Sequence, residues 1–116
     1  MQECLFCQIV QRKLPAEIVL ENDQVVAFKD IAPVAPLHVL VVPRTHVKDA
    51  ATLGPHNAQD LTAMFLAARE VAAGEGLATD ERGYRLVLNV GRDSANSVPH
   101  LHLHVIGGRQ MTWPPG

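Results

Sequence analysis

Three histidines stand at every second position of an apolar segment near the C-terminus: His100, His102 and His104. In an extended strand alternate side chains share a face, so the apolar residues between them would enter a core while the imidazoles line the opposite side. Neighbouring imidazoles would then stand roughly 6–7 Å apart, from a rise of about 3.3 Å per residue. Imidazole suits nucleophilic, acid–base and metal chemistry near neutral pH. This segment is therefore the first candidate for a functional site.

The histidine row has three interpretations. It is a solvated strand face with incidental histidines, or a metal site in which two histidines at i and i+2 share one ion, or a catalytic strand. In the last case one imidazole attacks while the others orient it or stabilise charge. Three of the chain's six histidines fall within five positions, which argues against an incidental face. The residues that flank the row favour the catalytic strand.

A second motif lies at the other end of the chain, where Cys4 and Cys7 are spaced C-x-x-C. In a reducing compartment this spacing indicates a metal or redox pair before a structural disulfide. The start, Met1–Cys4, contains no basic segment followed by an apolar stretch, and no run approaches the length that spans a bilayer. We therefore expect a cytoplasmic protein.

Length and composition restrict the class of protein. A chain of 116 residues, 47% of them hydrophobic, predicts one domain over residues 1–116 with a core of its own. The net charge of −2 makes no electrostatic case for binding a polyanion, because such binding needs clustered Lys and Arg. We expect neither a nucleic-acid polymer nor a membrane as partner.

Hydrophobic periodicity predicts the elements that must position these motifs. A short amphipathic helix begins near Leu5 and stops near Leu14-Pro15. The further predicted elements are strands Ile18–Leu20, Val25–Phe28, Val39–Val42, Tyr84–Val90 and His100–Ile106, and a helix Ala58–Ala73. The continuous apolar run of the third strand indicates that both its faces are covered. The pattern predicts an α+β fold: a five-stranded antiparallel meander sheet with one long helix and a short N-terminal helix.

With these residues in view, the chain resembles the histidine triad (HIT) family, in its branch of histidine triad nucleotide-binding proteins. The resemblance extends over nearly the whole chain, with anchors at residues 4–9, 28–33, 38–46, 89–91 and 97–109. The terminal Trp113-Pro114-Pro115-Gly116 points to this branch rather than to the dinucleoside polyphosphate hydrolases. On composition alone this tail is either a frayed terminus or an arm that carries Trp113 to a neighbouring subunit.

The resemblance implies a homodimeric hydrolase that binds a purine nucleoside monophosphate. It would cleave nucleoside 5'-phosphoramidates, or acyl or aminoacyl adenylates, to the nucleoside monophosphate. His102 would attack phosphorus and form a covalent nucleotidyl-histidine intermediate that water resolves, with no cofactor required for the chemistry. By the same resemblance, His104 contacts the phosphate oxygens, and His38 on the neighbouring strand supports the triad that His100 completes.

The resemblance also assigns the other nucleotide contacts. Asn89 and Ser97 would hydrogen-bond the phosphate or the departing group, and Asp30 would accept both ribose hydroxyls. An apolar slot for the base would consist of Phe6, Ile9, Phe28 and Ile31. Without the resemblance, Asp30 is a turn aspartate before Pro33, and the four apolar residues are ordinary core. For His38 and Asn89 the alternative to a functional role is a buried polar side chain satisfied by backbone.

A structural zinc is implied for some members of the family on a Cys₂His₂ set. The matching residues here are Cys4, Cys7, His46 and His100. Four ligands with no open position would hold the N-terminal segment against the sheet and leave the chemistry to His102. The alternative is two thiols that behave as small apolar groups, with His46 on a surface loop.

Two departures from the family pattern affect the expected specificity. Ala95-Asn96 stands where many members have Gly-Gln before the serine, and Pro99 stands where an aromatic is common. We expect an altered leaving-group preference and a retained reaction. The rival functions are a non-catalytic purine-nucleotide-binding or scaffolding module, a dinucleoside polyphosphate hydrolase, and a metal hydrolase with the triad as ligands.

Overall fold

A computed structural model of the chain describes residues 4–116. Met1–Glu3, on which part of the expectation about targeting rests, lie outside this range. The elements are α1 (Leu5–Val10), β1 (Ile18–Glu21), β2 (Val25–Lys29), β3 (Leu37–Pro43), α2 (Ala58–Gly74), β4 (Tyr84–Val87) and β5 (Leu103–Gly107). The five strands form one antiparallel sheet in the order β1-β2-β3-β5-β4. The predicted α+β fold, with one long and one short N-terminal helix, is confirmed.

Strand β5 lies between β3 and β4, so the predicted antiparallel meander holds for β1 to β3, while the last two strands depart from its sequential order. Leu103, Val105 and Gly107 of β5 are buried, whereas every residue of β4 is partly exposed. Burial favours the more apolar strand in the interior of the sheet. The return of β5 into the sheet places His104 opposite Leu40 of β3.

The two faces of the sheet carry two separate cores. Helix α2 covers one face, where Met64 and Ala68 pack with Val39, Val41 and Val105. Helix α1 covers part of the other face with an apolar cluster formed by Phe6, Ile9, Val26, Phe28, Leu40 and Val42. Because β3 alternates between both cores and all seven of its residues are buried, the predicted two-sided burial of this strand is correct.

The alternation predicted for the histidine row is observed, although strand β5 begins at Leu103 and not at His100 as predicted. Leu101 and Leu103 enter the core under α2, and the imidazoles lie on the α1 side. Strand β5 begins only at Leu103 because the preceding backbone leaves the ladder, with the Leu101 N–H donating to the Val47 carbonyl. Within residues 4–116, no helix combines the length and the apolar character that crossing a membrane requires.

Candidate active site

A cavity of about 420 Å³ opens on the α1 face of the sheet. Its apolar wall is made largely by α1 and the turn that follows it, with Phe28 of β2, and its polar lining includes one carboxylate, one hydroxyl and two imidazoles. Eight of the residues predicted from the sequence line it: Phe6, Ile9, Phe28, Asp30, Ile31, Ser97, His102 and His104. The structure therefore collects at one place side chains that lie up to 98 positions apart in the sequence.

His102 is buried, and a backbone carbonyl fixes the tautomer of its ring. Nδ1 lies 2.7 Å from the carbonyl oxygen of His100. Because a carbonyl only accepts, Nδ1 carries a proton and donates it, so in the neutral form of the ring Nε2 keeps an unprotonated lone pair. The ring of Phe6 stands edge-on at 5.1 Å between centroids and holds the imidazole from the α1 side. His102 thus has the protonation pattern of a nitrogen nucleophile.

His38 and His104 form a hydrogen-bonded pair whose direction is also set by the backbone. The N–H of Val34 donates to His38 Nδ1 at 3.1 Å, so the His38 proton is on Nε2. His38 Nε2 lies 2.9 Å from His104 Nδ1, which must then accept. The proton of His104 is therefore on Nε2, the nitrogen on the far side of that ring. This direction of donation makes His104 Nε2 a hydrogen-bond donor at the polar end of the cavity.

The amide nitrogen Nδ2 of Asn89 stands 3.5 Å from His104 Nε2. Because Nε2 carries the proton of the neutral ring, both nitrogens are donors, and neither satisfies the other. The Asn89 NH₂ group is therefore a second donor beside the His104 N–H. A second donor near the same imidazole is what a bound oxyanion would require.

Burial keeps His104 uncharged at neutral pH. Loss of solvation lowers its pKa to about 4, the positive forms of His102 and His38 act in the same direction, and Asp30 opposes them. A neutral ring with its proton on Nε2 donates one hydrogen bond without a full charge. Burial also lowers the pKa of His100, chiefly through desolvation.

Asp30 performs the turn role expected from its position and also reaches the cavity. Its Oδ1 accepts the N–H of Ala32 at 2.8 Å, and Oδ2 lies 3.4 Å from His38 Nε2. Asp30, His38 and His104 lie close enough to hold an ion, but the His38–His104 hydrogen bond already accounts for the closeness of the two rings. One carboxylate oxygen is thus engaged by the local turn, and the other faces the histidine pair.

The loop from Gly91 to Pro99 brings Ser97 to the rim of the cavity, where its side chain is exposed. Ala95 in this loop adopts the left-handed conformation, with φ at 66°. That conformation costs an L-residue roughly 1–2 kcal/mol and suits glycine better. Among the described residues, the buried Oδ1 of Asn96 has no hydrogen-bond partner. Ala95 and Asn96, which form the first of the two departures from the family pattern, therefore both stand in unfavourable local environments.

The four predicted metal ligands come together at the start of α1. His100 Nδ1 lies 3.4 Å from the sulfurs of Cys4 and Cys7 and 3.2 Å from His46 Nδ1, and the Cys7 sulfur lies 3.3 Å from His46 Nδ1. Zinc bonds of about 2.3 Å to sulfur and 2.0–2.1 Å to nitrogen put the corners of a tetrahedron roughly 3.3–3.8 Å apart. The observed spacings agree with this tetrahedron to within a few tenths of an ångström.

The tautomer of His100 supports the same interpretation. Its Nε2 donates to the carbonyl of Pro43 at 3.0 Å, so Nδ1 presents a lone pair to the two sulfurs and to His46. A lone pair surrounded by three further donor atoms is the arrangement that a cation satisfies. The donor set therefore fits a structural zinc, and His46, although exposed on its loop, belongs to it.

The sequence analysis did not assign seven of the residues that line the cavity. They are Leu5 of α1, the turn residues Leu14, Pro15 and Ala16, Lys29 of β2, Leu40 of β3, and Val98 before the histidine row. Leu40 shares the face of His38 two residues earlier, so strand parity could have indicated it. Ile31, predicted for the base slot, stands at the mouth of the cavity and is 100% exposed.

Comparison with known proteins gives a consistent picture. Residues 11–111 match the HIT domain family. An uncharacterized HIT-like protein of Synechococcus elongatus is 39% identical over 115 residues, which cover 99% of this chain and 98% of that protein.

Solved structures agree with the sequence match. A HIT family hydrolase from Legionella pneumophila has a TM-score of 0.94 at 43% identity, covering 98% of this chain and 100% of that one. A histidine triad nucleotide-binding protein from Candida albicans has a TM-score of 0.82 at 26% identity, covering 98% of this chain and 85% of that one. The chain therefore belongs to the histidine triad (HIT) family and has the fold of its hydrolases.

Proposed function

We propose that the protein hydrolyses nucleoside 5'-phosphoramidates, or the chemically related acyl and aminoacyl adenylates, to the nucleoside monophosphate. The observation that carries the proposal is the 2.7 Å contact between His102 Nδ1 and the His100 carbonyl, which leaves Nε2 as the unprotonated nitrogen of the neutral ring. A neutral imidazole with this tautomer attacks phosphorus without a separate base.

The substrate would occupy the cavity with its base on the apolar side and its phosphate at the imidazoles. Phe6, Ile9 and Phe28 supply an apolar wall suited to a purine face, and Phe6 and Phe28 already stand edge to face at 5.5 Å. Asp30 lines the cavity between this wall and the histidines. Its Oδ2 would accept a ribose hydroxyl, while Oδ1 shares its acceptance with the Ala32 N–H.

The reaction would proceed in two displacements at phosphorus. His102 Nε2 attacks, the bond from phosphorus to the leaving nitrogen or oxygen breaks, and a nucleotidyl-imidazole forms. Water then attacks phosphorus, the P–N bond to His102 breaks, and the nucleoside monophosphate leaves. His104 Nε2–H, Asn89 and Ser97 would donate to the phosphate oxygens or to the departing group, where negative charge increases in each transition state.

The zinc that fits the cluster would have a structural role. Cys4, Cys7, His46 and His100 would complete its coordination, and such a closed site supplies folding free energy rather than a reactive water. The residues that perform the displacement remain His102 and its donors. Retention of phosphoramidase activity in zinc-free protein that is still folded would agree with this division of roles.

A homodimer belongs to the same proposal. Trp113 is 82% exposed, and the tail that carries it is fixed by a hydrogen bond from Arg85 to the Thr112 carbonyl at 2.8 Å. A large aromatic side chain held outward on an anchored tail is suited to burial against a second subunit. Light scattering of the wild type and of Trp113→Ala tests this part separately.

Steady-state hydrolysis of adenosine 5'-phosphoramidate tests the proposed activity. We expect release of AMP by the wild type and a loss of at least about a thousandfold in kcat/KM for His102→Ala. His56→Ala is the matched control, because this histidine is exposed near the start of α2 and away from the cavity. Equal rates for the wild type and His102→Ala would refute the proposed function.

A further inference from the structure

We propose that Cys4 and Cys7 form a thiol–disulfide switch that controls the docking of α1 and, through α1, nucleotide binding. The last step rests on the proposed function. The oxidant is a disulfide compound of low molecular weight. The proposal depends on the position of one short helix that carries both the thiols and part of the cavity wall.

The two thiols lie close enough together for an intramolecular disulfide to form. Cys4 is the N-cap of α1 and Cys7 lies in its first turn, with the Cys4 sulfur 3.5 Å from the Cys7 N–H. Residues three apart in a helical turn lie on the same side. All four donor atoms of the cluster lie within 4.8 Å of one another, so a side-chain rotation brings the sulfurs to the bonding distance of about 2.05 Å. Both cysteines are partly exposed and so accessible to a small oxidant.

Oxidation would remove two of the four donors that hold α1 to the sheet. The 3.3–3.4 Å contacts of the sulfurs with His46 and His100 join α1 to the loop after β3 and to the segment before β5. A helix of six residues has little stability of its own, so tertiary contacts must hold it. After oxidation the packing of Phe6 and Ile9 is the principal remaining attachment.

The same helix forms part of the nucleotide cavity. Phe6, directly before Cys7, contacts His100 at 6.0 Å and His102 at 5.1 Å between ring centroids. Phe6 and Ile9 both line the apolar wall. Moreover, His100 contributes its ring to the cluster and its carbonyl to His102 Nδ1. Release of α1 would therefore open the base slot and loosen the ring of the proposed nucleophile.

The redox step balances with a disulfide oxidant RSSR. The Cys4 thiolate attacks one sulfur of RSSR, which forms a mixed disulfide and expels RS⁻. The Cys7 thiolate then attacks the Cys4 sulfur, which forms the Cys4–Cys7 bond and expels the second RS⁻. The two cysteines lose two electrons in total, RSSR gains them, two protons convert the leaving thiolates to RSH, and any zinc held by the thiolates departs as Zn²⁺.

The test treats zinc-loaded, full-length protein with excess oxidised glutathione and follows four readouts. These are thiol content, zinc released to a chromogenic chelator, amide hydrogen exchange of residues 5–10, and the Kd for AMP from calorimetry. We expect loss of both thiols with one equivalent of zinc, faster exchange in α1, and a Kd raised about tenfold, from the loss of stacking against Phe6. Reduction with a dithiol and zinc should restore all four values.

The double variant Cys4→Ser, Cys7→Ser is the control, since its exchange and Kd should not respond to the oxidant. If this variant does not fold, the oxidation and reduction cycle of the wild type provides the comparison within one protein. A disulfide that forms without faster exchange in α1 would overturn the proposal, as would thiols and zinc that resist the oxidant. Failure of the reduced protein to bind AMP would instead refute the proposed function, and the exchange readout would still decide whether the switch exists.

Discussion

His38 accepts one hydrogen bond and donates another, and we predict that two substitutions of this residue remove these two bonds one at a time. His38 accepts from the Val34 N–H through Nδ1 and donates to His104 through Nε2. The amide of Asn places a polar atom near the position of Nδ1, and the longer Gln reaches the position of Nε2. His38→Asn should keep the bond to Val34 and lose the donor to His104, whereas His38→Gln should do the reverse.

The magnitudes follow from what each variant leaves unpaired. Without a donor at Nδ1, His104 is free to move its proton to that nitrogen, so Nε2 would present a lone pair to the phosphate. Removal of one donor to a developing oxyanion costs about 10²–10³ in rate, and we expect this loss in kcat/KM for His38→Asn. His38→Gln should retain kcat/KM within about tenfold but lose about 0.5–1.5 kcal/mol in the free energy of unfolding, because the hydrogen bond from the Val34 N–H is lost at a residue that is itself exposed.

Two assays check this pair of outcomes. Hydrolysis of adenosine 5'-phosphoramidate gives kcat/KM, and urea unfolding gives stability for the same samples. Nitrogen NMR shifts of the His104 ring report the tautomer directly and should change in His38→Asn alone. Equal catalytic loss in both variants, or full activity in His38→Asn, would refute the assigned direction of donation.

Three further predictions concern the loop, the buried imidazole and the base slot. Ala95→Gly should raise the free energy of unfolding by about 0.5–1 kcal/mol by relieving the positive φ of 66°. In contrast, Ala73→Gly in α2 should lower it by about 1 kcal/mol. The depressed pKa of His104, about 4 against 6.5 when unfolded, means that its contribution to stability is complete above pH 6.5. That contribution is lost as pH falls through 4, by up to about 1.4 kcal/mol per pH unit; His104→Gln should flatten urea midpoints over this range. Phe6→Leu should raise the Kd for AMP about fivefold or more, while Phe65→Leu, half-exposed on α2, should leave it unchanged.

A different result would contradict each of these three predictions. Equal destabilisation by the two Ala→Gly substitutions would mean that the left-handed conformation carries no strain. An unchanged pH profile in His104→Gln would assign the acid sensitivity to other groups. Equal AMP affinity in Phe6→Leu and the wild type would place the base outside the apolar wall.

Local pattern was sufficient to predict much of the fold. The alternation of His100–His104 with Leu and Val indicated one core-facing and one functional face, because side-chain direction in an extended chain follows from parity alone. The apolar run Val39–Val42 likewise indicated burial on both faces, and the structure assigns those residues to two different cores. The long helix begins at Ala58 as predicted and ends one residue later than predicted.

Local sequence patterns could not predict contacts between residues that are far apart in the sequence. The insertion of β5 between β3 and β4 depends on which strand buries more apolar surface in the finished sheet. The late start of β5 follows from a hydrogen bond between Leu101 and Val47, which no local period indicates. The C-x-x-C spacing pointed to a metal or redox pair, but its partners His46 and His100 came only from the family resemblance. The tautomers depend on backbone atoms such as the Val34 N–H and the His100 carbonyl, whose positions exist only in the folded chain.

The central claim is that the unprotonated Nε2 of His102 attacks phosphorus. The most direct test mixes wild-type protein with excess substrate and quenches the reaction rapidly without acid. The protein is then analysed by intact mass and by peptide mapping. We predict an adduct of one nucleoside monophosphoryl group on the peptide that contains His102, formed and lost at rates compatible with turnover and absent from His102→Ala. Turnover that continues while no adduct, or an adduct at another residue, is found would contradict the claim.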